Sequence, residues 1–557
     1  HQGCLVDIDI HYPDNFNFAY DVVDVIAEKS PDKRALVWCN TENEEHIFSF
    51  ADIRDESNRA ANVLLANGIG RGDRVILALK RHYEYWMLAI ACHKIGAVMI
   101  PVTHMLTTED FVYRMRAAKV QAVICTTQNH VPERVREAAI TLSEVLPCKL
   151  WTVKEGIEGF ACMTTAMENA PTTLDRQETL ATDPMVIYFT SGTSGYPKGV
   201  IHDFSYPLAH YVTAKYWQGV KDGGLHFTVS ETGWAKASWG KLYGQWLNEC
   251  AVMVYDFDNF EPRQMAAIIN KYGVTSFCAP PTIYRYMTRK GTTDFPLLEH
   301  VGTAGEYLSP DVFTKFKEAT GLDIMEGYGQ TETTLLIANF IGKPAKDSAL
   351  GLLSPLYTIE LRSKDGSLTP DGQIGEVCVV PKDGKRPIGI FCGYLDDEER
   401  YRIAWRGVVY HTGDAVYKDK DGYYWFHGRF DDIIKSGGFR IGPYEIENVL
   451  MTHPAVMECS VIGIPDRLRG QSIKAMVTLA SGYEASRKLE LEIRDYCNGQ
   501  LAEYKWIRQV EILDDMSKTI SGKIKSRTTK KSCSRISVTV EKKSTCLCCV
   551  IYKTMLH

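Results

Sequence analysis

Short apolar runs of strand-forming residues keep returning along the first half of this chain. Each is separated from the next by a stretch with helical spacing, and that alternation restricts the fold to parallel sheets covered by helices. RVILAL (74–79) precedes a helical segment near 83–95, which Gly96 is placed to cap before AVMIPV (97–102). QAVICT (121–126), MVIYFT (185–190), LHFTVS (225–230), AVMVYD (251–256) and VTSFCAP (274–280) continue the series. Between the last two, Met265, Ile268 and Ile269 share one helical face. Beyond about residue 350 the texture changes to Gly-punctuated β segments, YTIELR, GEVCVV and GYYWFHG. A smaller α+β unit is expected from Asp431. Its clearest helix has Pro443 at the entry, Ile446, Val449 and Leu450 on one face, and His453-Pro454 at the exit.

A chain of 557 residues exceeds what one hydrophobic core organises, so at least two domains are expected. The hydrophobic share of 45% and charged share of 24% are those of an ordinary globular protein, and a net charge of −6 gives no reason to expect nucleic acid. No apolar run reaches the roughly 18 residues of a membrane span. The chain begins at His1 with no signal-peptide pattern, which leaves room for a start upstream. Its 16 cysteines are scattered, apart from a cluster near the end, and read as reduced thiols of a cytoplasmic protein.

The strand at 185–189 empties into YFTSGTSGYPKGV (188–200), a loop of hydroxyls, glycines and one lysine. Gly192, Gly195 and Gly199 let backbone N–H groups approach a ligand closely. The hydroxyls of Thr190, Ser191, Thr193 and Ser194 and the ammonium of Lys198 can converge on one polyanion. A phosphate chain is the natural ligand. A Ser/Gly linker has similar composition but rarely follows a buried strand or ends in Pro-Lys. The loop is not a Walker A motif, because Gly199 follows Lys198 where that motif needs Ser or Thr.

Three further clusters carry chemistry. Gly327-Tyr328-Gly329-Gln330-Thr331-Glu332-Thr333 offers a flat aromatic to stack on adenine and a carboxylate for Mg²⁺. Asp414, in His411-Thr412-Gly413-Asp414, can accept two ribose hydroxyls, and Arg429 can reach phosphate oxygens with its planar fork. Lys518-Thr519-Ile520-Ser521-Gly522-Lys523 places a lysine after a glycine late in the chain. Taken singly, each is as well read as a loop residue, a turn Asp, a surface Arg or a solvated Lys.

In order and interval, however, these clusters resemble the AMP-forming acyl-CoA synthetases of the adenylate-forming superfamily, from about residue 15 to about 527. TSGTSGYPKG, GYGQTET and IIKSGGFRIGPYEIEN are most similar to the medium-chain members. The resemblance implies an α/β fold: an N-terminal adenylation domain (1–430) of helix-covered sheets with a β-rich subdomain, a small mobile C-terminal domain (431–527), and a tail (528–557). It implies ATP, Mg²⁺ and coenzyme A as cosubstrates, and two half-reactions. A carboxylate attacks the α-phosphate to give acyl-AMP and pyrophosphate; the CoA thiol then displaces AMP. On this reading residues 190–198 hold the β- and γ-phosphates, Glu332 binds Mg²⁺ and Thr331 touches the α-phosphate. Gly305, Glu306, Glu326, Gly327 and Tyr328 line the adenine pocket, and Asp414 binds ribose beside Arg429. Lys523 is the adenylation lysine and Asp431 the hinge. The hinge motion brings Gly437, Gly438, Phe439 and Arg440 to the CoA site, with Arg440 and Arg469 meeting the nucleotide end of CoA.

Two departures stand out. The Pro-Lys-Thr usual before the catalytic lysine reads Ser517-Lys518-Thr519, and the tail has no counterpart. The tail is expected to be a disordered extension or the product of an altered reading frame. Cys546, Cys548 and Cys549, even with Cys533, make a poor zinc site without a companion pair, and the last residues are no prenylation box. For the acid, Gly329 stands where acetyl-CoA synthetases place a pocket-closing tryptophan, so longer or branched chains are expected to fit. Trp234 and Lys236, with Trp239, Lys241 and Trp246, supply part of the acyl wall or else helix core, and their bulk argues against long fatty chains. The expected substrate is a short- to medium-chain, branched or small aryl acid. The alternatives are an adenylating ligase with a non-CoA acceptor, against which the absence of a following carrier domain and the presence of Arg440 argue, and a non-catalytic sensor, against which Lys523 and Glu332 argue.

Overall fold

The computed structural model describes residues 5–190, 197–305, 308–430, 434–436, 439–466, 469–501 and 503–516, less the side chains of Lys435, Phe439, Arg440, Glu445 and Tyr504. The described residues form two compact units. The larger takes in residues up to 412 and 417–426; the smaller takes in 413–416 and residues from 427 on.

In the larger unit the alternating runs become two largely parallel sheets. One, of eight strands, has Arg74–Ala78 between Val98–Pro101 and Ala122–Cys125, then Lys149–Thr152 and Ala161–Cys162. On its other side Val98–Pro101 neighbours Pro184–Thr190, which turns back antiparallel into Lys198–Asp203 and then Gly393–Tyr394. The second sheet, of nine strands, runs from Leu352–Leu353 through Leu335–Ala338, Ile324–Gly329, His300–Ala304, Ser276–Cys278, Leu225–Thr228 and Ala251–Asp256 to Arg34–Asn40 and Glu45–Ser49. Central strands such as Val98–Pro101, Ala122–Cys125 and Ala251–Asp256 are buried at every residue. That is why they read as continuous apolar runs rather than as alternating ones.

The expected local signals hold. Helix Glu84–Lys94 ends at Ile95, and Gly96 takes φ +70°. Its N–H bonds His93 O while Ala97 N–H bonds Cys92 O, the paired geometry that closes a helix on a left-handed glycine. Helix Pro262–Tyr272 buries Met265 and Ile269 and stops at Gly273, also left-handed. A third sheet contains Thr358–Arg362, Gly375–Val380, Tyr410–Lys418 and Tyr424–Arg429. In the smaller unit, helix Pro443–Leu450 buries Ile446 and Leu450 with Val449 packed alongside, against the sheet built on Val456–Asp466 and Gly470–Leu479.

One exposed residue is strained. Val408 has φ +65° and is 74% exposed, a β-branched side chain in a left-handed turn that loses little packing if removed. Left-handed non-glycine residues cost about 1–3 kcal/mol, and glycine gives back about 0.5–1 kcal/mol in chain entropy. Val408→Gly is therefore expected to raise the stability of the larger unit by about 1 kcal/mol. Urea melts of the two proteins check it, and a lower midpoint for the glycine variant would contradict the strain.

Candidate active site

The phosphate-type loop leaves strand Pro184–Thr190 and returns as Lys198–Asp203, with Thr190 and Lys198 as Cα partners. Ser191, Gly192, Thr193, Ser194 and Gly195 lie outside the described residues. The two ends of the loop are in place. Thr190 Oγ1 is buried and has no hydrogen-bond partner among the described residues. Lys198 Nζ lies 2.5 Å from Glu332 Oε1.

Glu332 is 6% exposed. Burial pushes its pKa up, but the Lys198 ammonium, together with hydrogen bonds from Lys198 and Tyr394, overrides this and holds it below the usual carboxylate value. It therefore presents an ionised, buried oxygen of the kind Mg²⁺ prefers. Its turn is fixed on several sides. Phe391 N–H donates to Glu332 O at 2.8 Å, and His202 Nε2 lies 2.7 Å from Thr331 O. Burial lowers the His202 pKa to about 4, so the ring is neutral with its proton on Nε2, donated to that carbonyl. Gln330 accepts from Tyr410 O–H at 2.7 Å and donates to Thr412 O at 2.8 Å. Thr331 is thereby held with its side chain partly exposed.

Strand Ile324–Gly329 carries the adenine-side candidates. Tyr328 is partly exposed, its ring 6.3 Å from Phe426. Two glycines flank it because two tryptophans come close. A Cβ on Gly327 would stand 2.5 Å from Trp217 Cε2, and one on Gly329 would stand 2.4 Å from Trp239 Cη2 and 2.3 Å from Thr334 O. Trp217 is pinned by its own N–H to Met325 O at 3.0 Å. The expectation that Gly329 leaves the acyl side open is therefore corrected: the Trp239 ring already fills the space that glycine vacates. Gly305, on the neighbouring strand's exit, has φ +91°, and among the described residues other than its chain neighbours no atom lies within 4 Å of where a Cβ would stand; Glu306 lies outside the described residues.

Glu326 is buried, and its Oε2 has no partner among the described residues. Burial, with Asp347 adding to it, raises its pKa from 4.5 to about 8. The folded protein then keeps a proton that the unfolded chain releases, so stability is lost as pH climbs from about 4.5 to about 8. Glu326→Gln has no proton to release. Its stability relative to wild type is expected to grow across that window by up to about 1.4 kcal/mol per pH unit. Melts of both proteins between pH 5 and pH 8.5 check the slope; parallel curves would show that Glu326 ionises normally.

The aromatic segment divides. Lys236 Nζ donates to Ala304 O at 2.9 Å, which keeps it beside strand His300–Ala304, and Trp234 is partly exposed. Trp246 is core, fully buried with its N–H on Ala35 O at 3.0 Å. Lys241 is equally buried and donates to Ser230 O. Neither belongs to an acyl wall.

In the smaller unit Asp414 is 6% exposed and accepts from Arg429 Nη1 at 2.9 Å. Gly413, at φ +72°, lets the guanidinium lie over the turn, since a Cβ there would meet Arg429 Nη2 at 2.4 Å. Arg469 is exposed, in a turn where its N–H bonds Asp466 Oδ1 at 2.9 Å. Lys435 and Arg440 are paired across strands Ile434–Ser436 and Phe439–Ile441. Gly437, Gly438, the side chain of Arg440, Asp431 and Lys523 lie outside the described residues, as does the tail.

Among the described residues, Glu376, Cys378 and His411 bring possible metal ligands within 4.8 Å of one another. Here Glu376 Oε2 already accepts from His411 Nδ1 at 2.8 Å and Arg406 Nη2 at 3.0 Å. Burial, then the Glu376 charge, pushes the Cys378 thiol up to about 12. A neutral thiol and a carboxylate already paired with arginine make a hydrogen-bonded clamp between two strands.

Comparison with known proteins agrees with these motifs. The AMP-binding enzyme model matches residues 23–395, and the AMP-binding enzyme C-terminal domain model matches 445–523. The human acyl-coenzyme A synthetase ACSM3, mitochondrial, is 38% identical over 94% of this chain and 91% of its own. Human ACSM4 is 36% identical over 92% and 90%. Among solved structures, the anthranilate CoA ligase AuaEII in complex with anthranoyl-AMP superposes with a TM-score of 0.82 at 26% identity, covering 94% of this chain and 98% of that one. An acyl-CoA synthetase of Brucella canis gives 0.70 at 27%, covering 93% and 94%.

Proposed function

The chain belongs to the AMP-binding enzymes as an AMP-forming acyl-CoA synthetase, and we propose from its own residues how it activates a short- to medium-chain, branched or small aryl acid. The observation that carries the reading is the buried, ionised Glu332 held beside Lys198 at the exit of a phosphate-type loop. The chemical difficulty of the first half-reaction is that two anions must meet, so positive charge and fixed hydrogen bonds have to be waiting.

Lys198 and the hydroxyls of residues 190–194 would take the terminal phosphates, with Mg²⁺ on Glu332 supplying charge neutralisation there. Thr331, held by His202 through its carbonyl, would present its hydroxyl to the α-phosphate. Tyr328 would stack on adenine beside Glu326, Gly327, Gly305 and Glu306. Asp414, held by Arg429, would take the ribose hydroxyls. Lys523 would stabilise the charge that gathers as carboxylate and α-phosphate approach. For the second half-reaction Asp431 is the proposed hinge, with Gly437, Gly438, Arg440 and Arg469 serving CoA. Asp431→Pro, which fixes φ near −65°, is expected to spare adenylation and slow thioester formation. Separate assays of pyrophosphate release and CoA-thioester formation check it, and equal rates in both would place the hinge elsewhere.

For the acid, Trp239 over Gly329 and Trp217 over Gly327, with Lys236 close by, form the proposed end wall. A panel of carboxylic acids, read by acid-dependent pyrophosphate release and by thioester formation, tests the whole reading. Release with every acid but no thioester would turn it toward a non-CoA acceptor.

No helix among the described residues is long and apolar enough to cross a membrane. Eleven described cysteines are free thiols, which supports a reducing compartment. The sequence-based expectation is the cytoplasm, whereas the relatives' names read mitochondrial; fractionation of the native cells distinguishes the two.

A further inference from the structure

We propose that Tyr394 is a positioning residue for nucleotide binding: its phenol keeps the Glu332 carboxylate in place while Lys198 exchanges that carboxylate for a phosphate. The proposal rests on the reading of Glu332 as the cation ligand and adds the element that holds it.

Strand register puts the groups together. Tyr394 pairs with Val200 across antiparallel strands, and Lys198, two residues from Val200, faces the same side. The Tyr394 phenol donates to Glu332 Oε1 at 2.8 Å, the same oxygen that Lys198 Nζ reaches at 2.5 Å. The ammonium also lies 3.3 Å from the phenol oxygen and 4.7 Å from the ring centroid. Three residues earlier, Phe391 N–H holds Glu332 O. One short segment, 391–394, therefore grips both the backbone and the carboxylate of Glu332.

That double grip matters because Lys198 has two claims on it. When its ammonium turns to a phosphate, a buried carboxylate would be left without its charged partner, a costly state unless another donor stays. The phenol is that donor, and it keeps the oxygen aimed where a cation can take it. The ring face offers the ammonium a favourable surface during the turn.

The test reads binding without turnover. With ATP present and neither acid nor CoA, Mg²⁺ is titrated and the rise in melting temperature recorded. Tyr394→Phe keeps the ring and loses the hydroxyl. The half-saturating Mg²⁺ concentration should rise about tenfold, while the melting temperature of the free protein and the rise given by ATP with chelator stay put. Glu332→Gln is the reference and should shift the same midpoint further. A midpoint unmoved by Tyr394→Phe but moved by Glu332→Gln overturns the role of Tyr394 alone. A midpoint unmoved by Glu332→Gln overturns the cation-ligand reading and this proposal with it. A Lys198→Gln background gives an independent arm. There Tyr394→Phe should cost more than in wild type, because among the described side chains only those of Lys198 and Tyr394 donate to Oε1, and equal costs in the two backgrounds would count against the exchange.

Discussion

Lys523→Ala is expected to slow acyl-adenylate formation roughly 10²–10³-fold while leaving transfer of supplied acyl-AMP to CoA intact. The motive is electrostatic. Attack of a carboxylate on the α-phosphate concentrates negative charge at one point, and a single preorganised cation aimed there typically contributes about 3–4 kcal/mol. Lys198 cannot substitute, since its ammonium sits on Glu332 and serves the terminal phosphates in the proposed scheme. In the second half-reaction the sulfur attacks the acyl carbonyl and not the α-phosphate, and AMP departs, so the same charge has less to do. Burst measurements of pyrophosphate release, compared with thioester formation from supplied acyl-AMP, check the split. Equal losses in both steps would mean that Lys523 acts throughout, or acts by holding the fold.

Sequence texture revealed the sheets because their signals are local. Gly96 follows a helix and must close it, and the strands around it are apolar on both faces. Lys198, Glu332 and Asp414 stood out for another reason: taken singly each reads as an ordinary loop residue, and only the order and interval of the motifs that carry them pointed to a site. What the sequence hid were contacts made across long separations. Gly327 reads as a loop glycine until Trp217, far away in the chain, is seen against it. Tyr394 carries no motif, and nothing near it in sequence announces that its phenol reaches Glu332. Trp239 and Trp246 are seven residues apart, which one continuous helix would place on one face. Instead helix Ala235–Gly240 ends at Lys241 with φ −155°, and a second begins at Tyr243. The break sends Trp246 into the core around Phe50 and Trp86 and sends Trp239 toward Gly329. Periodicity fails where a helix breaks, and this break parts the two tryptophans.

Trp239→Ala is accordingly expected to move the preferred acid toward longer chains. In the wild type the ring tip lies where a Gly329 side chain would begin, so it sets the depth of the proposed acyl pocket. Relative kcat/KM should climb through the short acids while methylenes fill apolar space, then fall at the ring. Each methylene newly admitted by the alanine variant is worth about 0.8 kcal/mol, or nearly fourfold in specificity; three of them would change the ratio of long to short acids roughly fiftyfold. The variant will also lose stability, because large-to-alanine changes in a core typically cost about 3–5 kcal/mol. A ratio of kcat/KM values between acids is independent of how much enzyme stays folded, which makes it the right readout. Gly329→Trp is not the inverse experiment. Any Cβ there stands 2.3 Å from Thr334 O, a backbone atom, so the strand and the Glu332 turn beyond it would have to shift. That variant should lose activity toward every acid and not regain it when Trp239 is trimmed. An unchanged length profile in Trp239→Ala, with activity intact, would put the end of the pocket elsewhere, and Trp217 over Gly327 would be the next wall to remove.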